Sequence, residues 1–517
     1  MKMNESHEMI SEQNQNKESK YSFTRIDFFA AIAALILGFL YVCVLPVRQN
    51  PLGVMLYVIL VYGMTLAFIY LSGIRPDRFS LILAALGIAF SAGFIISSTA
   101  LGWLFFFQML LYNYFVYSAF GNRNERVIGR WFWLDAVKSA IVMPLSSLDA
   151  LVRALVPSKK DGVGKKIATN ILWIFIGLLI AIVPTLVISV LLSYDNAFDS
   201  LMDNILNAFD LSNIADIIWK MILAVPIALY GFGHLISSKL GRNREQLDGE
   251  KCQRLSDIAK FLPTALSCAA MLPILALYVI FFISQWGMYM SAFTGILPEE
   301  LTYAEYARQG FFELCAVCGI NAALILGVNI FTKQNTRATA IILRVVKGVT
   351  SFFSIILAAT ALSKMFLYIG AYGLTIERVL ASWFIILLLV SFVLVIISQI
   401  WRSFRFNAAL LLAFAVLFGG LIFCDVPTLV AEYNTEAYLS GQLDAVDMFE
   451  VFYRCGESGI PSLVRLSEKA PDEDLRVEAT NYINDYIGRV EREEKDGERG
   501  LFSFSVTRAK AERAVGK

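Results

Sequence analysis

LGWLFFFQMLLYNYFVYSAF, residues 101–120, runs straight into GNRNERVIGRWFWLDAVKSAIVMPLSSLDALVRALVPSKKDGVGKK, residues 121–166. The first stretch is twenty residues with no charged side chain, the length a helix needs to cross the hydrocarbon core of a bilayer. The second carries nine Lys and Arg. Because Lys and Arg are costly to translocate and collect in short cytoplasmic segments, the junction at residue 120 marks an exit on the cytoplasmic side.

Working outward, the same alternation recurs along a chain that is 57% hydrophobic and 17% charged, too apolar for a soluble domain of this size. Apolar runs occupy Phe28 to Leu45, Leu52 to Leu71, Phe79 to Ser98, Leu101 to Phe120, Ile167 to Leu192, Ile214 to Ile236, Phe261 to Ser284, Phe311 to Thr332, Thr350 to Ile369, Val379 to Ile400 and Phe406 to Phe423. The expected fold class is all-α: a polytopic transmembrane helix bundle of about eleven spans with a small helical C-terminal extramembrane module. With the N-terminus cytoplasmic, the short external loops hold only Arg48, Arg308 and Arg378, and an odd span number puts the tail from Asp425 outside. Residues 1–27 are polar with no apolar signal core and read as a disordered cytoplasmic leader. Residues 28–426 form the bundle, and 427–517 a helical module on the extracytoplasmic side.

Two amphipathic stretches lie between spans. In 131–156, Trp131, Leu134, Val137, Ile141, Leu145, Leu148 and Val152 share one helical face and Asp135, Lys138, Asp149 and Arg153 lie elsewhere, which predicts an interfacial helix kinked at Pro144. The basic run Lys159 to Lys166 follows it as an anchor on anionic headgroups. Gly162, Gly164 and Lys165 in that run do not make a phosphate loop, because Lys159 stands where the first glycine is required. The external segment 193–213 sets Phe198, Leu201, Met202, Ile205 and Phe209 against Asp195, Asp199, Asp203 and Asp210; lacking glycine, it reads as a solvated helix face rather than a calcium loop.

Little conventional chemistry is present. Seven scattered cysteines form no disulfide framework, and Cys315 and Cys318, in an apolar helix, read as small buried hydrophobes. The two histidines, His7 and His234, cannot make a conventional zinc site or most catalytic triads, and no serine sits in a Gly-x-Ser-x-Gly elbow. No catalytic residue, cofactor or metal is therefore assigned.

Ionisable residues in and beside spans point to function more strongly, since a lone charge in hydrocarbon costs about 2.5–3.5 kcal/mol by insertion scales. They gather at Tyr303, Glu305, Tyr306, Arg308, Gly310 and Glu313, then Lys364, then Glu377 and Arg378, all toward the outer face. A Glu313 to Lys364 pair is the expected link between the eighth and ninth spans. Lys220 is expected to snorkel outward and His234 to sit at the interface.

At Tyr303 through Leu314 (YAEYARQGFFEL) the chain resembles a bacterial multi-pass membrane family annotated only as a domain of unknown function. Gly373, Leu374, Thr375, Glu377 and Arg378 are similar to its next motif, and Val430, Ala431, Glu432, Tyr433 and Asn434 to a third on the external side. The closing run Phe502 to Ala511 is similar too, with Leu501 where the family often has Trp. The resemblance implies a bacterial plasma membrane location and this architecture, and it carries no catalytic role.

Three functions fit: foremost, a non-enzymatic envelope protein that senses or scaffolds through an outward-facing polar cluster; alternatively a secondary transporter of a small solute or ion; or a membrane enzyme acting on outer-leaflet lipid or glycan. The lipid bilayer is the expected partner, with an envelope protein contacted through the C-terminal module and no nucleic acid. Small residues at Ala85, Ala89 and Gly93, and at Ala415 and Gly419, suit close helix neighbours within or between chains and so assign no oligomeric state.

Overall fold

Helix ends in this chain are set by a few capping residues, and the spans between them by apolar length. The computed structural model describes residues 23–45, 49–96, 101–125, 128–155, 170, 177, 188, 211–241, 249–284, 311–333, 336–401, 403–495 and 499–516. The leader up to residue 22, the basic run Lys159 to Lys166, nearly all of the expected span Ile167 to Leu192, residues 193–210 of the acidic segment, and Tyr303, Glu305, Tyr306, Arg308 and Gly310 lie outside the described residues.

The long helices are α1 (Arg25–Val44), α2 (Pro51–Leu71), α3 (Arg78–Ser91), α4 (Leu101–Ala119), α5 (Leu211–Lys239), α6 (Gly249–Ala259) and α7 (Thr264–Ser284). They continue as α8 (Phe311–Phe331), α9 (Arg337–Tyr372), α10 (Ile376–Ile400), α11 (Phe406–Phe423), α12 (Val426–Leu439), α13 (Ile460–Lys469), α14 (Glu473–Lys495) and α15 (Val506–Ala514). Among the described residues, nine helices are long and apolar enough to cross a membrane, and each coincides with an expected span. The protein is an integral, multi-pass membrane protein. The expected span Leu101 to Phe120 is also helical, as α4, with more Tyr, Asn and Gln than the nine.

The chain divides into two compact units, the first comprising residues 1–91, 107–123 and 133–245. Here α1 starts at Arg25, so Asp27, counted with the leader, is inside the helix. Thr24 and Asp27 form a reciprocal capping box, and the other Asp27 oxygen accepts from Lys239 of α5 at 2.6 Å. Gly38 lets α1 and α5 touch backbone to backbone, since a Cβ there would collide with the Ala224 carbonyl. On α3 the close approach is at Gly87, beneath the Tyr62 hydroxyl. Ala85 and Ala89 of the expected small-residue stripe are exposed instead.

The interfacial stretch is broken rather than merely kinked. It runs as Phe132–Val137, a π-helical turn Lys138–Val142, Met143–Leu145 and, after a turn, Ala150–Leu155. Pro144 has no N–H, which frees the Ala140 carbonyl four residues back; the Tyr230 hydroxyl donates to it at 2.8 Å. Its burial is the reverse of a soluble amphipathic helix. Leu134, Val137, Ile141 and Leu145 are exposed while Asp135 and Lys138 are buried, the arrangement expected of a helix bathed in lipid.

The second unit comprises residues 92–106, 124–132 and 246–517, and groups the C-terminal module with its spans. α9 is 36 residues long, about 54 Å at 1.5 Å per residue. It begins well before the expected span Thr350 to Ile369, and in that added stretch Lys347 is buried and donates to Asn329 at 2.7 Å. Gly93 packs directly on Ile422 of α11. In the C-terminal module α12 ends at Leu439, Gly441 takes φ +75°, and the chain re-forms a π-helical turn at Glu450–Arg454. Glu473–Lys495 forms one uninterrupted helix, α14. Val430, Val451, Ile460, Leu463, Leu466 and Val490 build the module's core.

Candidate functional site

α9 and α10 are joined by Gly373, Leu374 and Thr375, and this turn collects most of the described candidate residues. Gly373 ends α9 with φ +77°, a conformation that glycine alone adopts freely, and Thr375 caps α10 by accepting from the Arg378 N–H at 3.3 Å. Leu374 is left with a buried N–H and C=O that neither helix can satisfy. Asn434 of α12 satisfies both: its Oδ1 accepts from Leu374 N–H at 2.6 Å and its Nδ2 donates to Leu374 O at 2.7 Å. A side-chain amide thus pairs with the turn as a neighbouring strand would. No larger residue than glycine fits at 373, because a Cβ there would stand 2.6 Å from Asn434 Oδ1.

The charges around the turn neutralise helix ends. Glu450 Oε1 accepts from the Ile376 N–H at 2.8 Å, placing a carboxylate at the positive N-terminus of α10. Arg378 turns back to α9, donating to the carbonyls of Tyr372 at 3.0 Å and of Gly373, with its guanidinium 4.2 Å from the Tyr368 ring centroid. Arg454 pairs with Glu377 and lies 3.8 Å from Glu450 Oε2. Burial pushes the Glu450 carboxyl above the usual carboxylate range, and Asp447 adds to this against the Ile376 N–H and the Arg378 charge. Next to it, burial with the charges of Glu450 and Asp425 pushes the Cys455 thiol up to about 12, leaving it unreactive. Glu432 and Tyr433, just before Asn434 on α12, are exposed.

Lys364 and Glu313 lie on α9 and α8, which pack together. Lys364 is buried, Glu313 is exposed, and the Glu313 charge acts on Lys364. Further along this seam Tyr278 donates to Asn321 Oδ1 at 2.6 Å, Asn321 Nδ2 to Ser354 Oγ at 2.8 Å, and Cys318 to Ser354 O at 3.6 Å. Lys347, Ser351, Ser354, Ala358, Ala361 and Lys364 share one buried stripe of α9. Sequence reasoning missed Asn321, Ser354 and Lys347; their spacing along α9 and α8 was the available signal.

It also missed a polar core in the first unit. His234, near the end of α5, is fully buried within the protein, with Nε2 3.0 Å from the Asn113 carbonyl. Asn113 Nδ2 donates to Tyr230 at 2.8 Å, Tyr117 to Asp135 at 3.2 Å, and Asn122 to the Ser238 carbonyl at 2.8 Å. These groups are held by bonds across the 121–155 segment and α5, which no local pattern encodes. Among the described residues, no cluster of His, Cys, Asp and Glu has the makings of a metal site.

No curated protein and no solved structure matches the chain. One family model does, over residues 79–466, and its span takes in α3 through α13, including the α9–α10 turn and its Asn434 and Glu450 partners. The chain accordingly belongs to the family defined by the domain of unknown function DUF4153.

Proposed function

We propose that this is a non-enzymatic protein of the bacterial plasma membrane, with its N-terminus cytoplasmic, that senses or scaffolds through its extracytoplasmic C-terminal module. The supporting observation is how the motif residues are used. Asn434 and Glu377 bond to groups across the boundary and tie the module to the α9–α10 turn, while Arg378 braces the turn itself. In this reading the module is a receiver and the turn its mechanical link to the spans, while the outward Glu432 and Tyr433 meet an envelope protein. Photocrosslinking from position 433 in living cells tests it: one recurrent partner, lost in Asn434→Ala, supports the reading. Absence of any partner, together with solute flux through proteoliposomes that Glu313→Gln abolishes, overturns it.

A secondary transporter is the second reading, and the first unit's buried polar core favours it. Asp27, Asp135, Lys138, His234 and Lys239 lie within or beside lipid-exposed helices, one of them broken at Pro144, features that ion pathways share.

A further inference from the structure

On the arginine-rich side of the chain, the second unit contains an open cleft of about 520 Å³ whose lining includes Glu125, Gly129, Arg130, Phe404, Arg405 and Asn407. Its described walls come from two stretches that are far apart in sequence, Glu125 with 128–130 and 404–407, and these carry two arginines, Arg130 and Arg405. Asn407 Nδ2 donates to the Gly129 carbonyl at 2.8 Å and fastens the two walls together.

The cleft is electrically unbalanced. Among the described residues Arg130 reaches neutral partners, Gln253 at 3.4 Å and Ser256 at 3.5 Å, and lies 5.0 Å from the Trp131 ring centroid. Arg405 forms no ion pair or side-chain hydrogen bond with a described residue. The one carboxylate in the lining, Glu125, folds back over Gly129 and pairs with neither arginine. Arg405 is also the residue before α11, so the positive N-terminus of that helix adds to the field.

Its height in the membrane identifies the occupant. The cleft opens at the α10–α11 turn, where Ile400 is 80% and Trp401 63% exposed, with the Trp401 ring tilted against Phe404 at a centroid distance of 6.3 Å. An exposed tryptophan at the end of a span marks the headgroup layer. Two guanidiniums and a helix N-terminus at that depth match a singly charged phosphodiester, and the volume accepts a headgroup. We infer that this cleft binds the phosphate of an anionic phospholipid from the leaflet facing the α10–α11 turn. The inference is independent of the proposed sensing or scaffolding role.

The test uses the full chain in zwitterionic detergent, titrated with short-chain phosphatidylglycerol, phosphatidylcholine or inorganic phosphate and read by native mass spectrometry. Wild type is expected to retain phosphatidylglycerol in preference to phosphatidylcholine. Arg405→Gln and Arg130→Gln should each weaken this about tenfold, the loss of roughly one charge-assisted contact. Arg492→Gln, the same charge change on exposed α14, should leave it unchanged, and so should Arg405→Lys in large part. Equal binding by all variants overturns the site. Displacement of the lipid by millimolar inorganic phosphate, with no preference for the lipid, overturns the lipid assignment. If Arg405→Gln loses helical content, Arg405→Lys and Arg130→Gln carry the comparison.

Discussion

At the scale of single residues, Asn434 and Glu377 both belong to motifs at the α9–α10 turn, yet they differ in consequence. Asn434→Ala strands a buried N–H and a buried C=O on Leu374, at about 1–3 kcal/mol each. Thermal unfolding should show a loss of about 2–5 kcal/mol, and amide exchange at Leu374 should accelerate. Glu377→Gln removes only an ion pair with both partners about half exposed, and should stay within about 1 kcal/mol. Glu450 adds a pH signature. Its folded-state pKa is raised, so the native form binds the proton more tightly than the unfolded chain. The stability this contributes is present below the ordinary glutamate range and is lost as pH rises through the raised value. Comparing melting curves of wild type and Glu450→Gln from about pH 4 to 8 should show this decline in wild type only, because glutamine keeps the Ile376 bond without titrating.

Elements in this protein meet where glycine replaces a side chain. Gly38→Val would drive a methyl into the Ala224 carbonyl and part α1 from α5, at about 1–3 kcal/mol or more, read as a lowered melting temperature. Spans of this kind were legible because apolar length alone specifies them: nine expected spans recur as helices. The pairing between elements was not. Asn434 and Leu374 are 60 residues apart, and Asn321 and Ser354 33 apart, so no window of sequence contains both partners. The 131–156 stretch gave the right period and the wrong environment for its polar face. An amphipathic wheel reports that two faces differ, and only packing decides which one turns inward. Asp135 and Lys138 turn inward here because Tyr117 and its neighbours supply polar partners that lipid cannot. Tyr230→Phe should loosen this broken helix, since it strips the Ala140 carbonyl of its donor, at about 1–3 kcal/mol.

For the whole molecule, topology is the assumption on which sensing rests. A cysteine placed at Glu377 should react with membrane-impermeant maleimide in intact cells, and one at Arg405 only after permeabilisation. Reaction of Glu377→Cys exclusively after permeabilisation would reverse the sides and with them the proposed outward role of Glu432 and Tyr433. The buried native Cys455 should remain silent in both states, and exposed Cys424 is replaced by serine beforehand to remove its background.

The Asp27 to Lys239 pair also sets a clock on assembly. Its two halves are 212 residues apart, and α1 is the first helix of the described chain to be made. At about 5–20 residues per second, synthesis takes roughly 10–40 s to deliver the lysine after the aspartate has emerged. During that interval the first helix carries Asp27 in its first turn without the lysine that pairs with it in the finished fold. The contacts that hold α1 against α5, the Asp27 pair and the Gly38 approach to Ala224, can therefore form only after α5 has been made.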